Sequence, residues 1–93
     1  MKELKPQFDG IGEVSGYQFL QIRSAEWGFL YEVSLGSRKH YEVFKRRLNR
    51  RFATVSYPSS KAFGVWAWTF IDFDLAKDRF EELRTNYNLK KNE

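Results

Sequence analysis

Cysteine is absent from this 93-residue chain, and with it any disulfide framework or thiolate metal site. Small secreted domains usually lean on such staples, so a reducing, cytoplasmic setting is expected. Histidine occurs once, as His40, which excludes His-rich metal sites and most catalytic triads. No apolar run approaches the ~18 residues of a membrane span, and Met1–Pro6 lacks the apolar stretch of a signal peptide. A soluble protein with no membrane partner is expected. Proline and glycine are few, two and six, and no linker, internal repeat or low-complexity stretch is visible.

What the chain has in abundance is aromatic rings. Nine Phe, five Tyr and three Trp make up 18% of the residues, and each ring buries ~150–250 Å² when enclosed. A domain of this size buries only ~60% of its unfolded surface, so rings are an efficient route to an adequate core. With 42% hydrophobic and 30% charged residues, the composition is that of a globular chain, read as a single domain spanning residues 1–93.

Residues 1–16, punctuated by Pro6, Gly10, Gly12 and Gly16, read as an irregular lead-in. Gly10 and Gly12 begin a GxG, but without a preceding strand or following helix the dinucleotide fingerprint is rejected. Tyr17–Arg23 reads as a strand and Ser24–Gly28 as a turn. Phe29, Tyr31, Val33 and Leu35 then alternate with Leu30, Glu32 and Ser34, a strand with a clear inner face. After a Gly36-Ser37 turn, residues 39–52 are open to two readings. A helix would align Tyr41, Phe44, Leu48 and Phe52; a strand would run to about Arg46 and be followed by a short helical or irregular stretch. The β-rich His40–Phe44 favours the strand. Tyr57-Pro58-Ser59-Ser60 suits a type I turn. Phe63–Ile71 reads as a strand apolar on both faces, expected at the centre of the sheet, with Trp66, Trp68 and Phe70 on one side. Asp74 is the expected N-cap of a helix carrying Ala76, Phe80, Leu83 and Tyr87 on one stripe, and residues 88–93 are read as a frayed tail. The expected fold is α+β: a mainly antiparallel sheet of about four strands, ordered β-β-β-β-α, with the helix on one face.

The run Ser56–Phe70, SYPSSKAFGVWAWTF, followed by a helix with an acidic start, resembles small proteins of gut-anaerobe genomes and their phages. The likeness covers about a third of the chain and implies no activity, cofactor or partner.

Charge is the most informative functional feature. Residues 1–37 carry −2, residues 38–51 carry +6, and residues 52–93 are neutral, so a short segment holds the whole excess behind the net +4. Lys39, Lys45, Arg46, Arg47, Arg50 and Arg51, with Lys61 as an extra, are the residues expected to contact a nucleic-acid backbone through charge and counterion release. Tyr41 is the candidate base-stacking ring, with Trp66 or Trp68 if their face is open. Each has a plainer reading: a Lys/Arg run is often only a solvated face, and an alternating Trp-x-Trp strand is more often core. The competing class is a protein-interaction or homodimerisation module using an exposed Trp66, Trp68 and Phe70 face, with the arginines docking an acidic partner.

Nothing points to catalysis. His40, beside Lys39 and Tyr41, reads as a surface or turn histidine. Asp72, Asp74 and Asp78 sit at a strand-to-helix junction, where capping and dipole roles explain them better than a metal. Ser59-Ser60-Lys61 lacks the glycine-rich cradle of a phosphate loop. The sequence therefore reads as a small non-enzymatic binding module without a cofactor.

Overall fold

The computed structural model describes residues 2–91. Alternating apolar residues and tight turns build an antiparallel meander, β2 (Gln18–Ala25), β3 (Gly28–Leu35) and β4 (Arg38–Lys45). Gly36 takes φ +59° at the first position of the β3–β4 turn, the place where a two-residue hairpin turn favours glycine. The helical alternative for residues 39–52 is thereby excluded: β4 runs its full eight residues against β3, and Lys45 pairs with Gly28.

The sheet has five strands rather than four. The lead-in contributes β1 (Gln7–Asp9), paired to β2, and β7 (Ala67–Phe70) pairs to β4, giving the order β1-β2-β3-β4-β7. β1 is three residues long with a single apolar ring, Phe8, too short to leave a period in the sequence. The expected centre of the sheet is its edge: among the strands β7 pairs only with β4, apart from an isolated Phe63–Ala67 bridge, and β3 is in the middle. The reason lies in Phe63–Trp66, which is not strand. Gly64 at φ +86° turns the chain, its N–H returns to the carbonyl of Ala67 at 2.8 Å, and Val65 is left in solvent.

Helix α1 (Phe73–Lys91) lies on one face of the sheet. Its stripe is the expected one: Ala76, Phe80 and Leu83 are buried against Leu30 and Val43, with Trp27, Trp68 and Phe70 partly buried around them. The cap, however, is Asp72 rather than Asp74. Asp72 Oδ1 accepts from the N–H groups of Asp74 and Leu75 at 2.7 and 3.2 Å, satisfying two donors that a helix start leaves orphaned. The helix includes residues 88–91 of the expected frayed tail; residues 92 and 93 lie outside the described residues.

The opposite face is covered without a helix. Phe19, Phe29, Tyr31, Val33, Phe44 and Ala67 are buried beneath Val55, Ala62, Leu4, Phe8, Tyr57, Phe63 and Trp66. Most of this cover comes from residues 46–66, which hold a short hairpin, β5 (Leu48–Asn49) and β6 (Thr54–Val55), and a 3₁₀ turn at Ser60–Ala62. Chain reversal occurs at that 3₁₀ turn, not at Tyr57–Ser60, because Ser59 is extended with ψ 173°. Tyr31 ties the lead-in to the core: its hydroxyl donates to the carbonyl of Lys5 at 2.8 Å and accepts from Gln21 at 2.9 Å. Gly28 is required where β3 runs beside the end of β4, since a Cβ there would stand 2.4 Å from the Phe44 carbonyl oxygen.

The cap assignment is tested by two single variants. Asp72→Ala should lower stability by about 1 kcal/mol, roughly 4–8 °C in Tm for a domain of this size, whereas Asp74→Ala, which loses only a dipole interaction, should cost about half as much or less. Thermal melts of the two variants beside the parent give the comparison.

Candidate functional site

The basic segment does not present one continuous face. Alternation along β4 sends Lys39, Tyr41, Val43 and Lys45 to the side of α1 and Arg38, His40, Glu42 and Phe44 to the other. Lys39 is paired with Glu32 at 3.4 Å. Tyr41 is half-buried, in a T-shaped contact with Phe73 at the helix start, with centroids 5.4 Å apart. Arg46 is woven into the structure: it donates to the carbonyl of Ala25 at 3.1 Å and to Glu3 at 2.6 Å, and its guanidinium lies 4.6 Å from the Phe29 ring centroid.

Five bases of the segment are exposed without a carboxylate partner among the described residues: Arg38, Lys45, Arg47, Arg50 and Arg51. The last three occupy the β5–β6 hairpin and its approach. Its tip is held by Asn49, whose Oδ1 accepts from the N–H groups of Arg51 and Phe52 at 3.1 and 3.3 Å. Backbone bonds also tie the hairpin to Lys2, which donates to Ala53 at 3.0 Å and accepts from Val55 at 2.9 Å. Ala53 adopts φ +50°, a strained value for a residue with a Cβ. Phe52 is 64% exposed on this tip, with the Arg51 guanidinium 5.3 Å from its ring centroid. Lys61 is exposed in the 3₁₀ turn.

The expected Trp66, Trp68 and Phe70 patch does not assemble. Trp68 and Phe70 pack in the cluster under α1, and Arg79 covers the Trp68 ring at 3.9 Å. Trp66 belongs to the opposite cluster, edge-on to Phe44 and with Arg47 5.3 Å above its ring. The turn at Gly64–Trp66 breaks the alternation on which the shared face depended.

A second constellation escaped the sequence reading. On the face away from α1, Glu42 is nearly enclosed. Its Oε1 accepts from the Tyr57 hydroxyl at 2.5 Å and its Oε2 lies 2.9 Å from His40 Nε2. His40 is thus a partly buried strand residue rather than a turn residue. Burial pushes the Tyr57 phenol far above its usual value of 10.0, and the neighbouring Glu42 charge reinforces this; burial also raises Tyr31. No group of three or more metal-ligating side chains occurs among the described residues. No helix among them is long and apolar enough to cross a membrane.

Two measurements test this geometry. Arg46→Ala should destabilise by about 1–2 kcal/mol through lost hydrogen bonds and stem packing, and Arg47→Ala by less than about 0.5; equal melts would contradict the structural role of Arg46. Because the folded protein holds protons on Tyr57 and Tyr31 more tightly than the unfolded chain does, stability should fall as pH rises past about 10. Absorbance at 295 nm should show the Tyr57 phenol ionising only together with loss of near-ultraviolet circular dichroism, and its reversible ionisation in the folded protein would contradict the assignment.

Compared with known protein families, curated proteins and solved structures, the chain matches none.

Proposed function

We propose that this protein is a small non-enzymatic module, working in a reducing cytoplasm, that grips a nucleic-acid backbone with the β5–β6 hairpin. The observation that carries the reading is the hairpin itself. Arg47, Arg50 and Arg51 are exposed with no carboxylate to neutralise them, and Phe52 stands in solvent beside them. Unpaired arginines suit phosphate, which they can bind bidentately. An exposed ring offers a π-face to an unstacked base. Lys45 and Lys61 are further cations available to a backbone, while Lys39 and Arg46 are already engaged by Glu32 and Glu3. The stacking role passes from Tyr41, packed against Phe73, to Phe52.

Three phosphate contacts correspond to a slope of log K against log salt of about −2 for a single strand and −2.7 for a duplex. Reversing Arg50 and Arg51 to Glu should remove most of the affinity and flatten the slope by roughly one to two, with the melting temperature nearly unchanged. Phe52→Ala should weaken single-strand binding by about 1–3 kcal/mol and leave the slope intact. Gel shifts and fluorescence anisotropy across a salt series provide these values. An absence of binding at low salt, where electrostatic attraction is strongest, would end this reading, and capture of an acidic polypeptide by the same arginines would replace it.

A further inference from the structure

On the face of the sheet away from α1, residues 5–14 and 57–63, in contact through the Phe8 and Tyr57 rings with centroids 5.6 Å apart, border an open groove of about 940 Å³. That volume lies within the ~300–1,000 Å³ of small-molecule sites, which are mostly apolar with a few convergent polar groups. The lining here fits that description. Phe8, Phe19, Tyr57 and Phe63 supply rings, and Ile11 and Val14 supply aliphatic wall. Ile11 is 83% exposed.

The charge of the groove runs against that of the molecule. The chain carries net +4, yet the lining holds the carboxyl groups of Asp9, Glu13 and Glu42 against the single amine of Lys5. Asp9 and Glu13 are exposed at the rim and make no ion pair among the described residues. Glu42 is only 12% exposed and is fixed in place by Tyr57 and His40. These two contacts occupy one site on each carboxylate oxygen, and an ionised carboxylate accepts about four hydrogen bonds. An anion entering the groove would meet repulsion, and a neutral apolar molecule would further desolvate Glu42 with no compensating charge. A cation with an apolar body satisfies both requirements, because aromatic faces attract positive charge and the carboxylate supplies a counter-ion.

We propose that this groove is a binding site for a small organic cation, an aryl- or alkylammonium compound, with the Glu42 carboxylate as its counter-ion and the Phe8, Tyr57 and Phe63 rings against its body. The site is separate from the arginine hairpin, so its fate and that of the nucleic-acid reading are decided independently.

Benzyltrimethylammonium is the probe, with benzoate and benzyl alcohol as anionic and neutral counterparts of similar size, each titrated into the ¹⁵N-labelled protein. The cation should shift the amides of residues 8–14, 57 and 59–63 and bind about tenfold or more tightly than either counterpart. Glu42→Gln, which keeps shape and removes charge, should weaken the cation about tenfold while leaving benzyl alcohol unchanged. Should that variant fail to fold, the exposed rim pair Asp9→Asn with Glu13→Gln should weaken the cation by roughly two- to fivefold. Benzoate or benzyl alcohol binding as well as the cation, shifts centred outside the groove, or indifference to both charge removals would overturn the proposal.

Discussion

Both faces of the β3–β4 pair are apolar, and one helix can cover only one of them. The largest fully buried side chains, Tyr31, Phe29, Phe44, Leu30, Val33 and Val43, all belong to these two strands. Each contributes about 1.5–3 kcal/mol by leaving water, in a domain whose net stability is of the order of 5–15 kcal/mol. Leu30 and Val43 meet α1. Phe29, Tyr31, Val33 and Phe44 need a second cover, and residues 46–66 with the lead-in provide it. That requirement accounts for the long connection between β4 and β7, and for the tie from Tyr31 to Lys5.

The functional reading grows out of the same arrangement. A covering segment anchored by Val55, Tyr57 and Ala62 can project its hairpin tip without risking the core, and the tip carries the unpaired arginines and Phe52. Where the cover meets β1 it leaves the acidic groove floored by Glu42. A positively charged projection and a negatively charged concavity thus share one irregular layer, while the helix side is largely a packing surface.

What could be read from the chain beforehand followed the strength of its periods. Alternation over the seven residues Phe29–Leu35 located β3, and the 4-3-4 spacing of Ala76, Phe80, Leu83 and Tyr87 located the buried stripe of α1. The cover was illegible because Val55, Tyr57, Ala62, Phe63 and Trp66 reach the core at irregular spacings, which no period describes. Trp66 and Trp68 look like alternate residues of one strand; the turn at Gly64–Trp66 places them on opposite sides of the sheet. The concentration of bases was visible, but not which of them are engaged. Arg46 is held by Glu3, 43 residues away, and such a pairing has no local signature. Glu42 appeared as one acid within a basic strand, and only its pairing with Tyr57 and His40 marks it as special.

The central claim, that residues 46–66 are a packed cover whose hairpin tip grips phosphate, is tested most directly by amide hydrogen exchange with and without a short single-stranded oligonucleotide. In the free protein the amide of Val55, bonded to Lys2 at 2.9 Å, and that of Ser56, bonded to Arg47 at 2.8 Å, should exchange slowly, at rates approaching those of β3. The amide of Arg50 should exchange fast, and those of Arg51 and Phe52, bonded only to the exposed Asn49 side chain, faster than Val55 and Ser56. Oligonucleotide should slow Arg50–Phe52 and leave β3 and α1 unchanged. Fast exchange at Val55 and Ser56, or protection appearing on α1 in place of the hairpin tip, would contradict the account.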